Sequence, residues 1–248
     1  MSISLIAYGY NEEENIKNFI YRSYKFCKLI SNDFEIIYLD DGSTDSTLRI
    51  IEKLKKIKKL KIRIYKNKYN QGVGFNFSKI LKLPKKNIII HQTVDWAYNI
   101  HKFLPYIRLI KDDKFDIIHG SRNFDINKRS DNLYRGLISI TNKFLIGIMY
   151  GYFTRDFQNV YVIKKNCLKG VKLLSKSSFV NPELLIELLL RNFKIAEINV
   201  NFKKRRRGKA KGAKLKFLLR SIFDIFILWF KKGLNFRLNN KNKITYLN

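Results

Sequence analysis

Two patterns of apolar and polar residues alternate along the first hundred positions of the chain. Short apolar runs bounded by polar turn residues predict buried strands at 3–7, 34–39, 61–65 and 87–91. Between them, apolar residues recur every three or four positions, which is the spacing of one face of a helix, and Asn11 is predicted to cap the first of these helices. Alternating strands and helices are typical of a mostly parallel sheet with helices on both faces, so the pattern predicts an α/β fold.

The second half of the chain shows the same kinds of element with less regular spacing. A helical pattern spans 133–148, and another helix is predicted where Asn181 precedes Pro182. Asn is a favoured cap and Pro a favoured first helical residue. Three further strands are predicted, at 115–119, 157–163 and 194–200.

An apolar and aromatic stretch, residues 214–232, follows a basic run at 203–211. A membrane-spanning helix needs about 20 mostly apolar residues, and Arg220 and Asp224 interrupt this stretch. It therefore predicts an amphipathic helix in a membrane interface, beside a basic run that anionic lipid attracts. The alternative is a helix that packs on the domain itself. The predicted organisation is a domain over 1–211, the interfacial helix over 212–232 and a basic polar tail over 233–248.

The charge of the chain limits the partners that it attracts. With 50 Lys and Arg against 20 Asp and Glu, the formal net charge is +30. Such a surface attracts polyanions, which include nucleic acid, anionic lipid head groups and phosphorylated small molecules. Cys27 and Cys167 have no CxxC or CxxH neighbours, so neither a zinc site nor a disulfide framework is predicted, and a reducing compartment fits.

Two adjacent carboxylates, Asp40 and Asp41, follow the apolar strand at 34–39 and begin the run Asp-Asp-Gly-Ser-Thr-Asp. Ligands bind at the carboxyl edge of open α/β sheets, where loops and helix N-termini converge. The alternative is a plain strand-to-helix turn in which Ser43 or Thr44 caps the helix, since Asp is a good turn residue. This stretch alone leaves both interpretations open.

Several motifs follow one another in the order known from one enzyme family. Residues 8–16 resemble P-A-Y-N-E-E-x-N-I with Tyr8 in place of proline, and residues 40–45 match D-D-G-S-x-D. Weaker matches follow: Gly72-Val73-Gly74 for G-K-G, Gly120-Ser121-Arg122 for G-S-R, Pro182-Glu183-Leu184 for P-E-L, and Arg205 to Lys211 for R-x-x-G-x-S-K. Together they resemble family-2 glycosyltransferases with the Rossmann-like GT-A fold, and most of all the branch similar to polyprenyl-phosphate mannosyl- and glucosyltransferases.

The resemblance implies that a nucleoside diphosphate is displaced, with inversion, from the anomeric carbon of an activated sugar. It implies that the following residues bind the nucleotide: Gly9, Tyr10, Glu12, Asp40, Asp41, Gly72 and Asp95. Glu12 has an alternative role as a first-turn carboxylate beside the helix dipole. Four cationic side chains are expected to bind the diphosphate: Arg122, Arg135, Arg205 and Lys211. The alternative is that they belong to a solvated basic face.

The catalytic residues implied by the resemblance are Arg122, Arg205 and Asp156. Asp156 stands at the Asp of the pattern D-x-x-S-G-F and is the candidate general base for a sugar hydroxyl acceptor. A lipid phosphate acceptor needs no base, because a phosphate monoester with a second pKa of about 6 is already anionic at neutral pH.

The loop at 93–95 departs from the family pattern D-A-D, whose two carboxylates hold a divalent metal on the diphosphate. Thr93 replaces the first Asp, and Ala97 replaces a Gln that usually follows. Only Asp95 remains as a metal ligand, so weak binding of Mg²⁺ or Mn²⁺ is expected.

The sequence therefore predicts a nucleotide-sugar-dependent glycosyltransferase on the cytoplasmic face of a membrane, peripheral or monotopic. The expected partners are a nucleotide sugar, a polyprenyl-phosphate or glycan acceptor and an anionic membrane surface. Within the family, the alternative is a member with lost or metal-independent activity. From another class, a nucleic-acid-binding protein would explain the charge, although the Asp40-Asp41 pair would repel a phosphate backbone.

Overall fold

The computed structural model describes seven ranges of the chain, namely 1–121, 143–151, 154, 157, 160–200, 215–233 and 244–247. In the first half, strands and helices alternate as predicted. The elements are β1 (Ile3–Gly9), α1 (Glu13–Ile30), β2 (Phe34–Asp40), α2 (Thr47–Lys55), β3 (Ile62–Lys66), α3 (Val73–Ile80) and β4 (Ile88–His91).

The described elements of the second half are shorter and less regular. They are α4 (Ile107–Lys111), β5 (Ile117–Ser121), α5 (143–150), β6 (Tyr161–Lys164), α6 (Val180–Leu190), β7 (Ile195–Asn199), α7 (Leu215–Leu228) and β8 (Thr245–Leu247). Short 3₁₀ turns occur at Lys58–Leu60, Ile100–Tyr106 and Lys165–Leu168, and a π turn at Trp229–Gly233 continues α7.

The described strands form one eight-stranded sheet in the order β3-β2-β1-β4-β6-β5-β7-β8. Every pair is parallel except the two that β6 makes, with β4 and with β5. The predicted mostly parallel α/β sheet is thus confirmed. The edge strand β8 lies within the segment that the sequence analysis expected to be only a polar tail.

Side chains that alternate along the central strands divide the core into two layers. On β2, Ile36 and Tyr38 pack in the layer beneath α1 and α2, whereas Ile37 and Leu39 pack on the other face beneath α3 and α6. Successive strand side chains point to opposite faces, so an apolar strand of this kind must be covered on both sides.

Two helices begin at other residues than the sequence suggests. Asn11 does not cap α1, because it takes a positive φ of 54° and Glu12 occupies the cap position. Asn181 lies inside α6, which begins at Val180. Pro182 is tolerated there because the first N–H groups of a helix have no intrahelical acceptor.

The C-terminal helix α7 packs on the domain along one face. Ser221, Ile225 and Leu228 are buried. The hydroxyl of Tyr150 on α5 donates to the carbonyl oxygen of Ile225 at 2.5 Å, and the indole N–H of Trp229 donates to a carbonyl oxygen of α5 at 2.9 Å. The alternative of a helix packed on the domain therefore holds for this face.

Another face of α7 is apolar and exposed to solvent. Its side chains are Leu219, Phe223, Phe226 and Phe230, of which Phe223 is 66% and Phe230 74% exposed. Phe144 and Ile148 of α5 are exposed as well. Among the described helices, none has the length and apolar character needed to cross a bilayer.

Candidate active site

The loops after β1 and β2 lie side by side at the carboxyl edge of the sheet. Gly9 and Asp40, the last residues of the two strands, are paired in register, and Asp41 N donates to Gly9 O at 2.9 Å. Residues 10–12 therefore run directly alongside residues 41–46. This places the two strongest sequence motifs in one site.

Hydrogen bonds join these two loops across more than thirty residues of chain. Asn11 N donates to Ser43 Oγ at 2.9 Å, and Thr44 N donates to Asn11 Oδ1 at the same distance. Glu12 N donates to Thr47 Oγ1 at 2.8 Å. The positive φ of Asn11 turns its side chain into a bridge between the motifs, which explains why it does not act as a helix cap.

Helices α1 and α2 cap each other with carboxylates. Glu13 N donates to Asp45 Oδ2 at 3.2 Å, and Ser46 N donates to Glu13 Oε2 at 2.9 Å. Asp45 Oδ1 also accepts from Thr47 N at 2.9 Å. Acids suit helix N-termini because of the unpaired N–H groups and the helix dipole. Glu13 and Asp45 therefore have structural roles at this edge.

The Asp40 carboxylate shapes the turn that follows it. Its two oxygens accept from Ser43 N at 2.9 Å and from Ser43 Oγ at 2.6 Å, and the side chain is buried. Gly42 takes a φ of +72°, and a Cβ there would lie 2.7 Å from the backbone of Tyr69. The turn thus brings the loop after β2 against the loop after β3.

The Asp41 carboxylate holds the loop after β3. Its Oδ1 accepts from Asn67 Nδ2 and from Gln71 N, both at 2.8 Å, and its Oδ2 accepts from Gly72 N at 3.1 Å. Gly72 has a φ of +83°. Asp41 is 3% exposed. Asp41 therefore fixes residues 67–72 at the entrance to α3.

A buried amide network that the sequence analysis did not identify supports this loop. Asn67 Nδ2 donates to Asn76 Oδ1, Asn76 Nδ2 donates to Gly72 O, and Lys79 Nζ donates to Asn67 Oδ1, each at 2.7 Å. Asn67 could have been identified from the sequence, because it is a polar residue just after a predicted strand, as Asp41 is. Asn76 gives no such signal, because it stands within a helical pattern.

Gly9 lies where three side chains converge. A Cβ there would meet Glu12 Cγ at 2.9 Å, Tyr38 Oη at 3.0 Å and Val94 Cγ2 at 3.2 Å. Burial, and then the nearby carboxylates, raise the pKa of Tyr38 well above its ordinary value, so its hydroxyl stays protonated. The absence of a side chain at Gly9 lets the loops after β1 and β4 approach each other over strand β2.

The loop that holds Thr93 and Asp95 offers little to a metal. Both side-chain oxygens accept from Ala97 N, Thr93 Oγ1 at 3.3 Å and Asp95 Oδ1 at 3.2 Å. Among the described residues, no group of three or more His, Cys, Asp or Glu side chains could hold a metal ion. Asp95 is thus the one carboxylate that this loop offers to a divalent ion, and oxygens of the diphosphate and water would have to complete the coordination shell.

Five of the predicted site residues lie outside the described part of the chain: Arg122, Arg135, Asp156, Arg205 and Lys211. Ser121, which precedes Arg122, ends β5 in register with Asn199 of β7, on the same edge of the sheet as Gly9 and Asp40. Within the described ranges, the structure brings Gly9, Glu12, Asp40, Asp41 and Gly72 into one cluster of loops.

A groove of about 780 Å³ lies at the opposite, amino-terminal edge of the sheet. Among its lining residues are Met1, Leu81, Ile88 and Lys164. It is far from the acidic loops, and Lys164 in its wall is mostly buried and already paired with Asp113 and Asp116. Its chemistry does not match the motifs described above.

A sequence model of the family named Glycosyl transferase family 2 matches residues 4–179. The chain belongs to this family. The match spans β1 to the residue before α6 and so includes the loops just described. The chain is a glycosyltransferase with the α/β fold that its motifs predicted.

Two curated relatives place this glycosyltransferase within a broad family. An uncharacterised protein of Methanocaldococcus jannaschii is 24% identical over 197 residues, which are 76% of this chain and 82% of the relative. Undecaprenyl-phosphate 4-deoxy-4-formamido-L-arabinose transferase of Proteus mirabilis is 36% identical over 50 residues. That second match covers only 20% of this chain and 15% of the relative.

Solved structures share the fold of this family-2 glycosyltransferase. S. aureus TarS in complex with UDP-GlcNAc is 19% identical, with a TM-score of 0.67, over 98% of this chain and 68% of that one. Glucosyl-3-phosphoglycerate synthase from Mycobacterium tuberculosis, in complex with Mn²⁺, UDP and glucosyl-3-phosphoglycerate, is 16% identical. Its TM-score is 0.65, over 92% of this chain and 79% of that one. At these identities the likeness concerns the GT-A fold.

We predict that Asp41→Asn opens residues 67–72. The new amide replaces an acceptor oxygen with an NH₂ donor that faces donors on Asn67, Gln71 or Gly72. The free energy of unfolding should fall by about 1–3 kcal/mol, the cost of unpaired buried groups. Thermal unfolding and backbone hydrogen exchange measure both effects. Glu14→Gln removes an exposed carboxylate from the same edge and is the control; equal stability of the two variants would contradict the prediction.

Proposed function

We propose that this glycosyltransferase transfers a sugar, with inversion, from a nucleoside-diphosphate sugar to a lipid-phosphate or glycan acceptor. One observation carries the proposal: hydrogen bonds accepted by the Asp40 and Asp41 carboxylates, together with the bond from Asp41 N to Gly9 O, assemble the loops after β1, β2 and β3 into a single cluster at the carboxyl edge. Ligands of open α/β sheets bind at this edge. The nucleotide complexes of TarS and of the mycobacterial synthase, which share the fold, support a nucleotide-sugar donor.

The acidic loops are assigned to the base and ribose of the donor. Each carboxylate oxygen has two lone pairs, so each Asp40 oxygen and Asp41 Oδ2 retain one acceptor position for an N–H or hydroxyl group of a ligand, whereas Asp41 Oδ1 has none left. Gly9, Tyr10, Glu12 and Gly72 belong to the same group of loops. Asp41 in addition acts on the nucleotide indirectly, through the loop 67–72 that it orders.

The leaving diphosphate is assigned to cations: Arg122, Arg135, Arg205 and Lys211. As the acceptor oxygen attacks the anomeric carbon from one face, the bond to the diphosphate breaks on the other, and its electron pair leaves with the diphosphate. Guanidinium groups suit this step because they bind phosphate oxygens in a forked geometry. No step is assigned to a metal, because Asp95 is the one carboxylate that the loop at 93–95 offers to a metal ion.

The nature of the acceptor decides whether a base is needed. A sugar hydroxyl loses its proton as it attacks, and Asp156 is assigned to take it up. A lipid phosphate attacks as an anion and transfers no proton. The partial match to an undecaprenyl-phosphate transferase supports the lipid phosphate.

The remaining proposals concern organisation and location. We assign residues 1–211 to the catalytic domain, 212–232 to a membrane-interface helix and 233–248 to a basic polar tail, whose residues 245–247 add the edge strand β8 to the sheet of the domain. The exposed apolar face of α7 and the net charge of +30 support a peripheral position on an anionic membrane surface, on its cytoplasmic side. This location would serve the synthesis of glycolipid or cell-envelope polysaccharide.

A panel of UDP-, GDP- and dTDP-sugars tests donor binding by thermal shift. A ligand at 100 times its Kd stabilises the folded state by about 2.7 kcal/mol, so one nucleotide class should raise the unfolding temperature clearly. We expect Glu14→Gln to keep the shift and Asp41→Asn to lose most of it. If no nucleotide sugar shifts the wild type, the proposed function is wrong.

A chelator tests the role assigned to the cations. Because Asp95 is the one carboxylate of its loop, we expect weak metal binding. EDTA should therefore lower turnover by much less than it lowers the turnover of a metal-dependent enzyme. Arg205→Ala should cost more activity than Asp95→Ala, because the arginine meets the departing charge. Complete loss of activity with EDTA, restored by Mn²⁺, would contradict this assignment.

A pelleting assay with phosphatidylglycerol vesicles tests the membrane position. The double variant Phe223→Ser/Phe226→Ser removes exposed apolar surface from α7 and leaves its buried face unchanged. The partition coefficient to vesicles should fall at least about tenfold. A tenfold fall corresponds to about 1.4 kcal/mol, whereas burial of one Phe side chain contributes about 1.5–3 kcal/mol. Phe75→Ser, an exposed Phe on α3, is the matched control. Equal pelleting of all three proteins would exclude α7 as the docking surface.

A further inference from the structure

Four consecutive backbone N–H groups, at residues 174–177, each donate to a carboxylate. The first two donate to the two oxygens of Glu183 on α6, at 2.7 and 2.8 Å. The last two donate to Oδ2 of Asp224 on α7, at 3.0 and 2.8 Å. Segment 174–177 is therefore held from two helices, and its second half depends on Asp224.

The same segment lies directly against the first turn of α3. Gly74 N donates to Lys176 O at 3.3 Å. A Cβ on Gly74 would lie 2.4 Å from Ser175 O and 2.5 Å from Lys176 Cα. A separation under 3.0 Å does not occur between a real Cβ and backbone, so only glycine allows this contact. The position of the α3 turn is thus set by the position of residues 175 and 176.

The first turn of α3 is also the end of the loop that Asp41 holds. Gly72 N donates to Asp41 Oδ2, and Asn76 returns two hydrogen bonds, from its backbone N–H at 3.1 Å and from Nδ2 at 2.7 Å, to Gly72 O. Residues 71–76 therefore lie between two carboxylate contacts. Asp41 fixes them from the side of β2, and Asp224 fixes them from the side of α7 through residues 176 and 177.

We propose that Asp224 is a positioning residue for the donor site, acting through segment 174–177 on the glycine turn at 72–74. The inference rests on the proposed function only in taking the carboxyl-edge loops to be the donor site. Loss of the Asp224 carboxylate leaves the N–H groups of residues 176 and 177 without a charged acceptor. The segment then moves away from Gly74, and the loop loses its support.

Helix α7 has other attachments that survive this change. Tyr150 donates to the carbonyl oxygen of Ile225, Trp229 donates to α5, and Lys232 pairs with Glu187 of α6. Asp224→Asn is therefore expected to loosen the segment while the helix stays docked. Tyr150→Phe is the matched control, because it removes a hydrogen bond to the neighbouring residue of α7 and none of the four hydrogen bonds that hold residues 174–177.

Hydrogen exchange of the full chain without ligand tests the coupling itself. We expect exchange at residues 72–76 to be about tenfold faster in Asp224→Asn than in the wild type, and unchanged in Tyr150→Phe. Gly74→Ala disrupts the contact between the first turn of α3 and residues 175 and 176, and it should also raise the exchange rate at residues 72–76. Circular dichroism confirms that each variant is folded. If residues 72–76 exchange as slowly in Asp224→Asn as in the wild type, the proposal is wrong. If Asp224→Asn does not fold, the exchange rate of these residues in Gly74→Ala decides instead.

Calorimetry with UDP and GDP, followed by steady-state kinetics with the matching nucleotide sugar, tests the consequence for the donor. Asp224→Asn should weaken binding of the nucleoside diphosphate about tenfold and raise KM for the donor, with little change in kcat. Tyr150→Phe should leave both unchanged. Unaltered affinity in Asp224→Asn would overturn the positioning role. If the wild type binds neither UDP nor GDP, dTDP is titrated in the same way. Failure of all three to bind means that the proposed function is wrong, and the exchange experiment still decides whether the two carboxylates are coupled.

Discussion

The hydrogen bonds of the Asp41 carboxylate are the constraint on which the carboxyl edge of this protein depends. Three donors from residues 67, 71 and 72 converge on two oxygens that are almost fully buried. A buried carboxylate is tolerated only when such donors compensate for the water that it has lost. The buried Asp41 carboxylate therefore depends on the donors of the loop after β3, and the conformation of that loop depends on its hydrogen bonds to Asp41.

Asp40 and Asp41 order the loops of the carboxyl edge through hydrogen bonds within the chain. Asp40 closes its own turn through Ser43, and that turn presses Gly42 against the backbone of Tyr69. The sequence offered two interpretations of this acid pair, a turn or a ligand site, and the structure shows why they are compatible. An acid that orders the loop beside a nucleotide contributes to binding even where its own contacts are internal.

The fold and half of the loop cluster could be predicted from the sequence because their signals are local. Apolar runs such as 34–39 and 87–91 marked the central strands, and the unusual pair Asp40-Asp41 marked the edge. Local reasoning failed where a distant contact decided the outcome. Asn11 does not cap α1, since it bridges to Ser43 and Thr44, and Asp224 interrupts an apolar stretch in order to hold residues 176 and 177.

Amide chemical-shift mapping in the full chain measures most directly whether the carboxyl edge is a nucleotide-sugar site. The protein would be titrated with the nucleotide sugar that stabilises it most, and the backbone amides followed by two-dimensional NMR. We predict that among the described residues the largest chemical-shift changes fall at 9–12, 40–45 and 67–74. Shifts confined to the opposite groove, around Met1, Leu81 and Lys164, with none at the acidic loops, would contradict it.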